Sequence, residues 1–230
     1  MNHKIITEQG KQQMPLQLPL MVFLSAVAAG LGYAVLTLPV QAPGLSGQVL
    51  ENLDASGVSN PVTAVLLNFR GYDTLLEMGV LLLALLGIWS LDAVPEYPES
   101  PAGPVLDTLS RLLVPLLILV AGYLLWIGAH APGGAFQAGS MLGAAGVLLL
   151  LTGWYPGARF AGLPLRITLV AGLGIFIAVG MVLLLIGRQL LEYPPPFAGA
   201  LILLIEASAT LSIGITLAAL FLGSRPDTGE

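Results

Sequence analysis

Three carboxylates and one histidine interrupt otherwise apolar runs of this sequence: Asp73, Glu77, Glu206 and His130. Asp73 and Glu77, in "NFRGYDTLLEMGVLLLALLGIW", are four residues apart and share one face if the segment is helical. Asp73 is expected at the start of that helix, as its N-cap or paired with Arg70. Glu77 falls one turn deeper. An acid there costs several kcal/mol unless it is partnered, so ion handling and a structural role both stand for it. Glu206 lies near the middle of "PFAGALILLIEASATLSIGITLAALFLG", with no basic residue nearby in sequence. Ser208, Thr210, Ser212 and Thr216 beside it suggest a polar stripe inside a helix bundle. A hydrogen-bonded neutral acid, a pair with a residue of another protein chain, and a place in ion or proton passage all remain open for Glu206.

The stretch "HAPGGAFQ", residues 130–137, separates two apolar runs. Pro132 removes a backbone donor, and Gly133 and Gly134 allow turns closed to other residues. One helix therefore ends and another begins within a few residues. A tight hairpin at the membrane surface would leave His130 at a helix C-terminus, where the dipole favours it. A break below the surface would instead turn unwound backbone toward a polar cavity, with Gln137 lining it and His130 available as a proton relay. Phe136 closes the motif.

Other chemistry is scarce. Cysteine is absent, which removes disulfides and thiolate metal sites, and two histidines are too few for a histidine-based metal or haem centre. No phosphate-binding loop, nucleophile–base pair or dinucleotide fingerprint occurs. Catalytic residues, metal ligands and cofactors are therefore not expected, nor is an enzyme acting alone. A net charge of −5 with 8 Lys plus Arg gives no nucleic-acid surface.

The elements that must hold these residues are helices in lipid. Of 230 residues, 56% are hydrophobic and 9% charged, too few charges to coat a soluble surface. Six apolar stretches approach the ~20 residues needed to span a bilayer: 16–38, 74–91, 112–129, 134–151, 165–187 and 197–223. Continuous rather than alternating runs specify an all-α integral membrane protein of about six transmembrane helices. Gly139, Gly143, Gly146, Gly172, Gly174 and Gly180 are expected at close helix contacts. The polar N-terminus lacks a signal-peptide layout, and the first apolar run reads as a retained anchor. Lys4, Lys11, Arg111, Arg159, Arg166 and Arg225 fall on one side of the six spans and Arg70 and Arg188 on the other, which places both termini in the cytoplasm. The connection over 39–73 is long for an unstructured loop. Its second half, "PVTAVLLNFRGY", is apolar enough to lie on the membrane or pack on neighbouring helices. The proline-rich acidic segment "DAVPEYPESPAGPVLD" reads as an exposed linker. It divides a two-helix module, residues 1–99, from a four-helix module, residues 100–230.

The motifs resemble a known family. "RLLVPLLILVAGYLLWIGAHAPGGAFQAGSMLGAAGVLLLL" resembles the B subunit (MnhB family) of Mrp-type Na+/H+ antiporters, with Ala135 and Ala138 where that family has glycines. "LIEASATLSIGITLAAL" is similar to its last helix, and the resemblance runs over about residues 107–223. "NPVTAVLLNFRGYDTLLEMGVLLLALLGIWSL" is similar to a small subunit of membrane-bound hydrogenases, as it is to the C-terminal segment of the large A-type subunit of the antiporters. Arg70, Asp73, Thr74 and Glu77 match that pattern, and Asn68, Tyr72 and Leu76 depart from it. The chain resembles a fusion of the two modules.

The resemblance implies a membrane subunit of a multi-subunit monovalent cation (Na+)/proton antiporter, active in assembly and in the ion pathway, with Na+ and H+ as transported ions. The alternative it leaves is a structural or ion-coupling subunit of a hydrogenase-like or other complex I-related machine. Partners would be large antiporter-like subunits, small helical subunits and the lipid of the inner cell membrane. On this reading Asp73, Glu77, His130, Gln137 and Glu206 are candidates for the ion pathway, and Pro132, Gly133, Gly134 and Phe136 shape the helix break.

Overall fold

A computed structural model of the chain describes residues 3–38, 44–91, 103–154 and 162–223, with side chains from residue 18 onward. These residues fold as helices and turns, without a strand among them. Two compact units result, residues 1–45 and 46–230. Residues 92–102 of the proline-rich linker and the expected module boundary near residue 100 lie outside the described residues, and the linker's last residues, 104–107, open the helix that begins at Pro104.

The first unit is carried by α1 (His3–Leu36). Its apolar part, Leu18–Leu36, is long enough to cross a bilayer. Thr37 closes the helix by donating its hydroxyl to the carbonyl of Tyr33 at 2.9 Å.

The second unit begins with short pieces, α2 (Ser46–Glu51) and α3 (Pro61–Ala64), and continues through α4 (Gly71–Ser90), α5 (Pro104–Ile127), α6 (Ala135–Leu151), α7 (Leu163–Leu185) and α8 (Ala198–Leu222). Five helices in the two units are long and apolar enough to span a bilayer, and the protein is a multi-pass membrane protein. The sixth expected span, α6, has only 17 residues. At 1.5 Å per residue it is about 25 Å long. Residues 128–134, which would complete it, are spent in the break between α5 and α6.

α8 is the centre of the bundle, and α6 and α7 pack along it. The α6–α8 approach depends on residues without bulk. A Cβ placed on Gly139 would lie 2.7 Å from Ile213 Cγ2, and one on Gly214 would lie 2.7 Å from Leu142 Cβ. Small residues at this spacing let helix backbones come close in lipid, where dispersion between facing surfaces replaces hydrophobic driving force. Gly143 and Gly146 meet Leu217 and Ala218 in the same seam, and Gly172 of α7 faces Met78, Ser212 and Ala209. Gly174 departs from the expectation: its absent side chain would meet only Val170 of its own helix, at 4.0 Å.

The apolar second half of the 39–73 connection packs inward, with Thr63, Ala64 and Leu67 buried. Between α3 and α4 the chain makes one wide π turn, Val65–Phe69. A wide turn leaves a carbonyl without its regular amide partner. Thr74 supplies one, donating its hydroxyl to Leu66 at 2.6 Å.

Candidate functional site

The helix break can be followed bond by bond. α5 stops at Ile127, whose carbonyl accepts from the backbone N–H groups of His130 and Ala131, both at 2.8 Å. The chain then doubles back so tightly that a Cβ on Gly128 would sit 2.7 Å from Gly134 Cα. Gly134 N–H donates to Leu124 O at 2.9 Å, and Gly134 itself adopts φ +107°, a conformation open to glycine. α6 starts at the next residue.

The remaining carbonyls at the end of α5 are closed from a distance. Asn60 is 4% exposed. Its side-chain amide donates to Ala131 O at 2.8 Å and to Gly128 O at 3.1 Å. Thr63 donates its hydroxyl to the same Gly128 oxygen at 2.5 Å. The backbone N–H groups of Ser59 and Asn60 donate to Ala129 O at 2.9 and 3.0 Å. The Asn60 side-chain oxygen also accepts from Val62 N–H, so the residue caps α3 while it plugs α5. A helix end leaves carbonyls that lipid cannot satisfy, and the "SNPVT" segment satisfies them here. Sequence reasoning missed this role for Asn60 and Thr63. The visible signal was local, an Asn–Pro helix start, whereas the partners lie 65–71 residues away.

On the bundle side of the break, Glu206 of α8 is 2% exposed. The carboxylate lies beside the start of α6, with Oε1 toward Gly134, and Oε2 has no partner among the described residues. The N-terminal end of a helix, with free N–H groups and a positive dipole end, suits this placement. A Cβ on Gly134 would stand 2.8 Å from Glu206 Oε1 and 3.8 Å from Gln137 Oε1. The serines and threonines nearby are buried as expected but turn to backbone carbonyls: Thr210 to Glu206 O at 2.7 Å, Ser208 to Ile205 O at 2.9 Å, Ser212 to Leu169 O at 2.6 Å. They bind helix backbone rather than forming an open polar path.

Asp73 and Glu77 belong to a different place. Asp73 is half-buried in the first turn of α4 and paired with Arg70; Arg70, not Asp73, occupies the N-cap position. Glu77 is exposed. Both border an open groove of about 620 Å³ between α4, α6 and α8, which Phe136 and Ser140 of α6 and Ile213 and Leu217 of α8 also line. Buried Met78 and Ala135 share an apolar cluster behind it, with Phe136 packed against them. Phe136 thus stands between groove and break. Pro132 and Gln137 are exposed, Gly134 buried. His130 lies apart from both sites, exposed, with Nδ1 3.0 Å from Ser59 Oγ. Among the described residues no group of three or more His, Asp or Glu could hold a metal.

Residues 105–223 match the family model described as a domain related to the MnhB subunit of Na+/H+ antiporters. The chain belongs to that family. The N-terminal side of this MnhB-related chain, residues 15–94, matches the MbhE model, which describes the E-type subunit of MBH. A protein of Rhizobium meliloti (strain 1021), described as the probable A/B subunit of a K(+)/H(+) antiporter, is 27% identical over an alignment 182 residues long that takes in 63% of this chain and 17% of that protein. The chain therefore spans about one sixth of that relative's length. Two solved structures share its fold. In a membrane-bound sulfane sulfur reductase, described as an archaeal respiratory membrane complex, a chain aligns with TM-score 0.67 and 23% identity, over 90% of this chain and 97% of its own. In the Mrp complex from Dietzia sp. DQ12-45-1b the values are 0.62 and 24%, over 94% of this chain and 26% of the other.

Proposed function

We propose that this chain is a membrane subunit of a Mrp-type monovalent cation/proton antiporter complex, taking part in its assembly and in the ion pathway. The observation that carries the reading is the groove that gathers Arg70, Asp73 and Glu77 from the MbhE-like region and Phe136 and Ser140 from the MnhB-related region. An acid exposed on a helix built for lipid is stable when it faces water or a partner rather than acyl chains. The chain joins two modules near residue 100, sits in the inner cell membrane with both termini in the cytoplasm, and serves as a transport-complex component rather than an enzyme. Its partners are large antiporter-like subunits and small helical subunits; its ions are H+ and Na+. Asp73 and Glu77 form the groove part of the path, Glu206 with Gln137 the interior part, and His130 the outer edge of the break.

The test is cation/proton exchange in vesicles that hold the assembled complex. Glu77→Gln is expected to assemble fully and to lose sodium-dependent exchange. Unchanged exchange rejects Glu77 as part of the path. A second reading draws on the sulfane sulfur reductase likeness, which extends over 97% of that chain. The protein would then act as a connector that holds antiporter-like subunits in register within a respiratory complex. Under it, Glu77→Gln, Pro132→Gly and Phe136→Ala lower only the amount of assembled complex.

A further inference from the structure

Glu206 combines features that a purely structural acid does not need. It is sealed to 2% exposure, one carboxylate oxygen lies against Gly134 at the start of α6, and the other has no partner among the described residues. Among the described residues no opposite charge pairs with it. α6 carries no ionisable side chain, nor does α7 between residues 167 and 185, nor the rest of α8. α4 turns Asp73 and Glu77 to the groove. α5 beyond residue 111 offers only Tyr123, which is exposed, and His130 of the break is exposed beside Ser59. A helix dipole offsets only a fraction of the cost of a bare carboxylate in such a place. Hard cations collect several oxygen ligands, and the hydroxyls of Ser208, Thr210 and Ser212 are spent on backbone carbonyls. A proton needs one oxygen.

The route to the carboxylate is equally specific. Gln137 is exposed and Glu206 is buried, and both direct a side-chain oxygen at the space where Gly134 has no side chain. Any other residue would fill that space, 2.8 Å from Glu206 Oε1. We propose that Glu206 is the proton-binding group of this chain, loaded and unloaded through the opening at Gly134 with Gln137 at its outer mouth. The step is protonation alone: a proton from the Gln137 side bonds to Oε1, the carboxylate oxygen that faces Gly134, the carboxyl becomes neutral, and the reverse returns it. The inference rests on the ion-pathway reading above and narrows Glu206 to the proton rather than the cation.

The test uses the assembled complex in native membranes and the hydrophobic reagent dicyclohexylcarbodiimide, which modifies protonated carboxyls in apolar sites; peptide mass spectrometry reads the label. Expected is labelling of Glu206 that neither sodium nor potassium protects, absent in Glu206→Gln and slowed several-fold by Gln137→Phe. Gln137→Leu replaces the last variant if the bulkier ring hinders assembly. Protection by either cation overturns the proton assignment and leaves the antiporter reading standing. No labelling of an intact complex, or a rate indifferent to both Gln137 variants, overturns the site or its route. If labelling follows expectation and Glu206→Gln leaves cation/proton exchange unchanged, the ion-pathway reading fails for this residue while its proton binding holds.

Discussion

Glu77 and Glu206 sit on packed neighbours, α4 and α8, yet the first opens onto a groove and the second is shut inside the bundle. Both are acids in apolar helices, Glu77 one turn beyond Asp73 near the start of α4 and Glu206 alone within α8. Their surroundings differ because α4 borders an open groove, while α8 is enclosed by α6 and α7 through a seam of small residues. An acid in the open position can change partner at little cost. An acid in the closed one is held between packed helices, against Gly134 at the start of α6. The pair therefore divides into a contact point for other proteins or ions and an internal group whose state the protein controls.

The closed region breaks first where the seam is widened. Gly214→Leu is expected to destabilise the chain by about 3 kcal/mol, since α6 backbone and Leu142 have no room to yield. Thermal melting of the detergent-solubilised protein checks it, and an unchanged midpoint would refute the close α6–α8 packing. Next comes the plug at the end of α5. Asn60→Ala strands buried carbonyls and should cost about 2 to 3 kcal/mol. Asn52→Ala removes one exposed bond to Gln48 O at 2.8 Å and should stay within about 0.5 kcal/mol. Equal losses from the two would remove the plug from the account. Glu206 itself sharpens the comparison: Glu206→Ala empties a buried site beside Gly134 and should cost about 2 kcal/mol, whereas Glu206→Gln keeps the volume and costs less than about 1 kcal/mol. The smallest effect belongs to the open region. Arg70 and Asp73 are 69% and 46% exposed, so Arg70→Gln should lower stability by less than about 1 kcal/mol, a difference that high salt erases.

The helices, the break and the candidate acids were legible because each leaves a local mark: an apolar run, a Pro–Gly–Gly interruption, a charge where charge is costly. The bounds of α7 and α8 fall within two residues of the apolar runs that specify them. What the sequence could not convey was which marks meet. Nothing near Glu206 in the chain identifies Gly134, 72 residues upstream, as the residue its carboxylate lies against. Gln137 reads as a cavity-lining residue by spacing, and its exposed side chain turns an oxygen toward Gly134, the residue that also meets Glu206. His130 and Ser59 are brought together for the same reason that Asn60 was overlooked, since a side chain's long-range partners are set by packing.

The plug at the end of α5 also bears on how the protein is made. Asn60 leaves the ribosome 68 residues ahead of Gly128, so the part that seals the helix end is present before the end exists. A nascent α5 produced without it would deliver bare carbonyl oxygens to acyl chains. The order of synthesis thus serves as a folding instruction, and a version of this protein expressed as its second half alone would begin life with an open wound at residue 128.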